Sequence, residues 1–204
     1  MDPADAHPTV AKAALRDQIR RSLRELSPAD RDAASGRICE HCVALGEWSA
    51  CRTVALYHPR SDEPDLWALA GRAWSEGRSV ALPSFDPASS AYRWRRVGGP
   101  GDLVPGRFGI PEPSSRCPEV PTGLLDLAFV PGLAFTLDGV RLGRGSGFYD
   151  RLLESFRGRC FGVAFEFQVL PHIPREGHDA GLHGVITPSG SRFAPSGAKL
   201  THGH

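Results

Sequence analysis

The stretch Leu127-Ala128-Phe129-Val130-Pro131-Gly132, continued by Asp138-Gly139-Val140-Arg141-Leu142-Gly143-Arg144-Gly145-Ser146-Gly147-Phe148-Tyr149-Asp150-Arg151, decides how the rest of the chain reads. Four apolar residues stopping at Pro-Gly have the pattern of a strand buried on both faces, as in a parallel sheet. A glycine-rich loop with two arginines follows, and a helix is predicted over Gly147–Phe156. Glycines at 143, 145 and 147 free the backbone to take positive φ and turn its N–H groups toward an anion. The adjoining helix start adds partial positive charge, and Arg141 and Arg144 can grip phosphate oxygens in pairs. Asp150 has the position and chemistry to hold a divalent cation against the same phosphates. The plainer reading is a flexible surface turn. The flanking strand, the arginines and Asp150 favour the phosphate site.

Outward from this loop, several nucleotide motifs are excluded. There is no Gly-Lys-Ser/Thr, so it is not a Walker A loop. The spacing G-x-G-x-G is not the dinucleotide G-x-G-x-x-G, and protein-kinase motifs are missing. At 204 residues the chain suits one domain with a substantial core, and a formal net charge of +1 gives no polyanion-binding surface. Small-molecule substrates are therefore expected, with neither nucleic acid nor membrane as partner. Five scattered cysteines argue against a disulfide framework and for a reducing compartment, the cytoplasm. Cys39 and Cys42 are formally C-x-x-C but fall inside a predicted helix, where small buried thiols are expected. All but two of the 24 basic residues are arginine, the exceptions being Lys12 and Lys199. Lys12 is either a survivor on a solvated helix face or a compact ammonium that arginine cannot replace.

Residues 9–26 read as a helix with Leu15, Ile19, Leu23 and Leu26 on one stripe, which puts Lys12 and Arg16 together on another. Ser27-Pro28 is an N-cap and first-turn proline opening a helix to about Trp48. Strands are predicted at Thr53–Tyr57, Ser79–Pro83, Leu127–Val130 and Cys160–Phe165, with a helix from Asp65 to Glu76. Tyr92–Val97 reads as an edge strand or hairpin arm, and 102–125 as a shaped loop. The expected fold class is α/β, a three-layer αβα domain over 9–187 with a mostly parallel central sheet. Residues 1–8 are expected to be flexible and 188–204 to be a disordered tail.

Ligand sites in such sheets lie beyond the carboxyl ends of the strands. The residues there are His58 and Asp62-Glu63 after the first strand, Ser84 after the second, the arginine-glycine loop after the third, and Glu166-Phe167-Gln168 after the fourth. Glu63 is either a carboxylate facing a ring nitrogen or amine, or a first-turn acid favoured by a helix dipole. Phe108, in the rigid run Gly106–Pro113, could stack on a planar ring or anchor a satellite core. His178-Asp179 could complete a metal site with Asp150, or form a surface turn.

With these residues in view, the chain from about Lys12 to Thr187 resembles the 5-formyltetrahydrofolate cyclo-ligase family. Residues 131–150 follow that family's pattern P-G-x-x-F-x-x-x-G-x-R-L-G-x-G-x-G-aromatic-Y-D. Lys12-Ala13-Ala14-Leu15-Arg16 matches its K-x-x-x-R, Asp62-Glu63 its acidic contact, Phe108–Pro113 its G-I-x-x-P loop, and His178-Asp179 its late H-D. The resemblance implies an ATP- and Mg²⁺-dependent closure of 5-formyltetrahydrofolate to 5,10-methenyltetrahydrofolate through a phosphorylated formyl group. It places ATP on Lys12, Arg16, Arg141, Leu142, Gly143, Arg144, Gly145, Ser146, Gly147, Phe148 and Tyr149. It places the folate on His58, Glu63, Phe108, Arg144 and Phe148, and Mg²⁺ on Asp150 and Asp179. Lys12, Arg144 and Asp150 are the catalytic candidates. Ser146, Thr136, Ser84 and His183 depart from residues common in the family.

Two other classes suit a phosphate loop. A sugar-phosphate or CoA-type enzyme would need a catalytic Glu or Lys beside the loop, for which Lys199 is badly placed. A non-catalytic module would keep the nucleotide or folate site without turnover, against which Lys12, Arg141, Arg144 and Asp150 speak.

Overall fold

The computed structural model describes residues 8–174 and 181–194. In chain order its helices are α1 (Pro8–Glu25), α2 (Pro28–Val43), α3 (Gly46–Ala50), α4 (Trp67–Ser75) and α5 (Phe148–Leu152). Its strands are β1 (Thr53–Ala55), β2 (Ser79–Asp86), β3 (Ala91–Val97), β4 (Leu103–Pro105), β5 (Pro111–Pro113), β6 (Glu119–Val120), β7 (Leu127–Val130), β8 (Ala134–Phe135), β9 (Arg141–Leu142), β10 (Arg159–Val163), β11 (Gly184–Thr187) and β12 (Gly190–Phe193). The main sheet has the order β12-β11-β10-β7-β1-β2-β3-β6. The five strands from β11 to β2 are parallel, and antiparallel strands close both edges. Every residue of β7 is buried, as a central parallel strand requires. Helices α2 and α4 pack on each other and on β11 and β2, and α5 packs on β3. The expected three-layer α/β class is what the chain forms. Among the described residues no helix is long and apolar enough to cross a membrane.

The chain runs outward from β1 to β2 and returns to place β7 on the other side of β1. Strand order therefore reverses between β1 and β7, and their carboxyl ends diverge there to leave a crevice. A smaller core beside the sheet joins Ile19 and Leu23 of α1 and Ala34 of α2 to Leu133, Val140 and Leu142. That core fixes α1 against the β8–β9 hairpin, on which the arginine-glycine loop is mounted.

Several elements depart from expectation. The second helix breaks at Ala44 and Leu45, because the chain must turn to bury both Leu45 and Trp48. Its start is as read: Ser27 Oγ accepts the Asp30 N–H at 3.1 Å, with Pro28 in the first turn. Helix α4 begins at Trp67 rather than Asp65, whose carboxylate caps the Trp67 N–H at 2.7 Å. Helix α5 is five residues long instead of ten. After it Leu153 and Phe156 turn into the core and Gly158 presses on the Asp126 carbonyl, which directs the chain into β10. The tail expected from Pro188 is corrected too: β12 pairs with β11 and carries order to Phe193. Lys12 lies on no solvated face, being 6% exposed. Cys39 and Cys42 are free and buried in α2, and burial pushes the Cys39 thiol up to about 11 and the Cys42 thiol well above its ordinary value, so both are inert at neutral pH.

Candidate active site

The crevice at the strand reversal opens into a cavity of about 480 Å³. Tyr57 and His58 reach it from the end of β1, Pro83 from β2, and Pro131-Gly132 from the end of β7. The Pro131-Gly132 wall is held by Gln168, whose buried Nε2 donates to the Gly132 and Leu133 carbonyls at 3.0 and 3.1 Å. Its Oε1 accepts from the Phe165 N–H at 2.8 Å.

The arginine-glycine loop forms a second wall. Gly145 and Gly147 take positive φ (110° and 62°), as read from the sequence. Gly143 does not; a Cβ there would lie 3.0 Å from Arg141 Nη1, so its bare backbone makes room for that guanidinium. The Arg141 side chain is 4% exposed, and its Nη2 donates to Asp150 Oδ1 at 2.6 Å. Its Nε is buried with no hydrogen-bond partner among the described residues. Arg144 reaches across the crevice to the other carboxylates, with Nη2 at 2.7 Å from Asp62 Oδ1 and 3.1 Å from Glu63 Oε1.

Glu63 is therefore no helix-dipole acid. It closes a turn with Arg60, whose N–H it accepts at 3.1 Å, four residues before α4 begins. Burial pushes its carboxyl above the ordinary range, partly offset by Arg144. The neighbouring hydroxyls of Tyr57 and Tyr149 are held well above the ordinary phenol value by burial, with Glu63 adding to the effect. Both stay protonated donors at neutral pH.

The cavity gathers most of the residues read from the sequence: His58, Glu63, Phe108, Arg141, Gly143, Arg144, Ser146, Gly147, Phe148, Tyr149 and Asp150 all line it. Lys12, Arg16, Leu142 and Gly145 do not. Arg16 instead braces the loop from behind, Nε donating to the Gly143 carbonyl at 3.0 Å. Leu142 packs in the smaller core. His178 and Asp179 lie outside the described residues. Glu166-Phe167-Gln168 does not line the cavity. Sequence reasoning did not assign Tyr92, Arg107 or Arg151 to the cavity, although Arg107 and Arg151 stand inside the two loop segments it had quoted and Tyr92 opens the predicted edge strand. Three of the four departures, Thr136, Ser84 and His183, make structural side-chain hydrogen bonds, while Ser146 lines the cavity. Thr136 Oγ1 accepts the Val140 N–H in the β8–β9 turn, and Ser84 Oγ ties β2 to the Pro113 carbonyl at 2.9 Å. Ser146 offers its carbonyl to Arg151 at 2.9 Å, and His183 Nδ1 accepts the Cys160 N–H at 3.1 Å.

This is a crevice at a sheet reversal, walled by a glycine loop that carries Arg141 and Arg144, with the buried carboxylate of Glu63 in its lining. A model of the 5-formyltetrahydrofolate cyclo-ligase family matches residues 8–188. The chain belongs to that family. Cyclo-ligase relatives include that of Haemophilus influenzae, 30% identical over 87% of this chain and 98% of its own. That of Mycolicibacterium smegmatis is 35% identical over 87% and 94%. The solution structure of the Aquifex aeolicus 5,10-methenyltetrahydrofolate synthetase superposes with a TM-score of 0.82 at 34% identity, covering 95% of this chain and 97% of that one. The cyclo-ligase family is one of enzymes, so the non-catalytic module is set aside.

Proposed function

We propose that this cyclo-ligase family member converts 5-formyltetrahydrofolate to 5,10-methenyltetrahydrofolate at the expense of ATP, releasing ADP and phosphate. The observation that carries the phosphoryl-transfer part is Arg141: a buried guanidinium facing the cavity, with one edge on Asp150 and an Nε donor that has no acceptor among the described residues. A buried cationic donor without a partner is costly unless an anion completes it, and a phosphate oxygen does so.

In this reading the glycine loop and Arg141 cradle the phosphates, with Lys12 and Arg16 supporting the loop from α1. The γ-phosphoryl group passes to the formyl oxygen, N10 attacks the activated formyl carbon and loses its proton, and phosphate leaves with the former formyl oxygen. Phosphoryl transfer of this kind asks mainly for positioning and charge neutralisation. Glu63, desolvated and facing the cavity, orients the folate by accepting from its ring N–H groups; His58, Phe108 and Phe148 frame the rings. Arg144 stands between Glu63 and the loop, able to answer either ligand.

Among the described residues no three His, Cys, Asp or Glu side chains cluster as a metal cage. Magnesium does not need one, since it keeps waters and takes one or two carboxylates plus phosphate oxygens. Asp150 fits that demand: it lines the cavity, is 26% exposed and sits against Arg141. Asp150, with Asp179 as second candidate, would hold Mg²⁺, which when bound neutralises phosphate charge. Five buried free thiols support a reducing compartment such as the cytoplasm. The test is ATP hydrolysis by the purified protein with and without 5-formyltetrahydrofolate: hydrolysis should require the folate, and folate-independent turnover would refute the reading.

A further inference from the structure

Strands β4 and β5 form a small hairpin whose tip, Gly106–Ile110, makes a lip over the cavity. The lip carries Phe108, 78% exposed, in the left-handed region at φ 59° and ψ 21°. A bulky L-residue keeps that conformation only when its surroundings hold it there. Two backbone bonds close the turn, Gly106 N–H to the Ile110 carbonyl and Ile110 N–H to the Arg107 carbonyl, both at 3.1 Å, and Glu112 ties that turn to the sheet. Its buried carboxylate accepts the Phe85 N–H through Oε2 at 2.7 Å and the Arg107 N–H through Oε1 at 3.0 Å. One oxygen therefore serves β2 and the other the lip. The Arg107 guanidinium lies on the Phe85 ring at 4.1 Å, a second tie between the same two segments. The fit is close, for a Cβ at Gly106 would come within 2.4 Å of Glu112 Cγ. Beyond Phe85 the contact continues through Tyr92 (ring centroids 5.2 Å) to Phe148 (4.1 Å), which opens α5 behind the glycine loop. Both Glu112 bonds are made by its side chain, apart from the β4–β5 ladder in which Glu112 pairs with Val104.

We infer that Glu112, which itself borders the cavity, is a positioning residue that sets Phe108 at the cavity mouth and tunes folate binding through the lip. The folate part of this inference rests on the proposed function; the clamp itself does not. Glutamine at 112 keeps the volume but offers one acceptor oxygen, and turns an amide N–H toward one of the two donors. Alanine removes both bonds.

The experiment measures two things on Glu112→Ala and Glu112→Gln: hydrogen exchange of peptides covering 104–110, with β7 peptides as internal control, and equilibrium Kd values for 5-formyltetrahydrofolate and for ATP. Exchange of the lip should rise about tenfold or more for alanine and less for glutamine, with β7 unchanged. Folate Kd should rise about tenfold and ATP Kd stay within about twofold. Phe108→Ala combined with Glu112→Ala should bind folate no worse than Phe108→Ala alone, since Glu112 acts through the lip. A lip as protected as in wild type, a loosened lip with unchanged folate Kd, parallel losses for both ligands, or additive losses in the double variant would each overturn the inference. A wild-type protein without turnover would retire the proposed function alone, because lip exchange is read without it. If the alanine variant does not fold, the glutamine variant decides.

Discussion

Replacing Arg144 by alanine should cost stability in a way that depends on pH. Glu63 is 7% exposed in its side chain, and the Arg144 guanidinium, itself 27% exposed, supplies its charge partner along with that of Asp62. Breaking a fully buried ion pair costs about 3–5 kcal/mol and an exposed one less than about 1, so this half-sheltered pair should cost about 2–3 kcal/mol. For a chain of this size that is a fall in Tm of about 4–12 °C. Burial already raises the Glu63 carboxyl above its ordinary 4.5, and losing Arg144 raises it further. A raised value means that the folded chain holds the proton more tightly than the unfolded one. The stability is therefore complete below about pH 4.5 and is lost as pH climbs through the raised value. Thermal unfolding followed by circular dichroism should show a larger deficit for Arg144→Ala near pH 8 than near about pH 5. Adding Glu63→Gln should recover most of it, because the uncompensated charge is then gone. Equal deficits at both pH values, or no recovery in the double variant, would refute the electrostatic account of this pair.

Gln168→Ala removes three buried hydrogen bonds at once and should lower stability by about 3 kcal/mol, measurable in urea, while also weakening ligand binding at the Pro131-Gly132 wall. Burial, reinforced by Arg159, lowers the His183 imidazole below its ordinary 6.5. Its neutral form folds better, so stability is full above about pH 6.5 and falls as pH drops below it; His183→Asn should flatten that part of the Tm–pH curve. Asp150→Asn should abolish turnover at ordinary Mg²⁺ while leaving metal-free nucleotide binding intact. An active variant with unchanged Mg²⁺ dependence would retire the metal role.

The parallel core was legible because Leu127–Val130 is apolar throughout and stops at Pro-Gly, a pattern that depends only on neighbours in sequence. The Ser27-Pro28 helix start was legible for the same reason. Helix α5 was overread: Leu152, Leu153 and Phe156 keep helical spacing, yet the helix stops at Leu152, and beyond it Gly158 and Arg159 meet the Asp126 carbonyl, a contact between distant segments that leads into β10. Lys12 was placed on one face with Arg16, but its burial depends on how α1 packs beside the β8–β9 hairpin. Glu112 shows the limit most clearly. Flanked by two prolines it looks like an ordinary loop acid, and only the hairpin fold brings its two oxygens to the amides of Phe85 and Arg107. The signal that could have flagged it was an acidic residue inside an otherwise apolar Ile-Pro-Glu-Pro run.

The most direct measurement supplies the protein with MgATP and 5-formyltetrahydrofolate carrying an isotopic label on the formyl oxygen. The account predicts methenyl product and phosphate in equal amounts, with the label in the phosphate. Methenyl product without labelled phosphate would contradict activation of the formyl group by phosphorylation, and ATP consumption without methenyl product would contradict the assigned reaction.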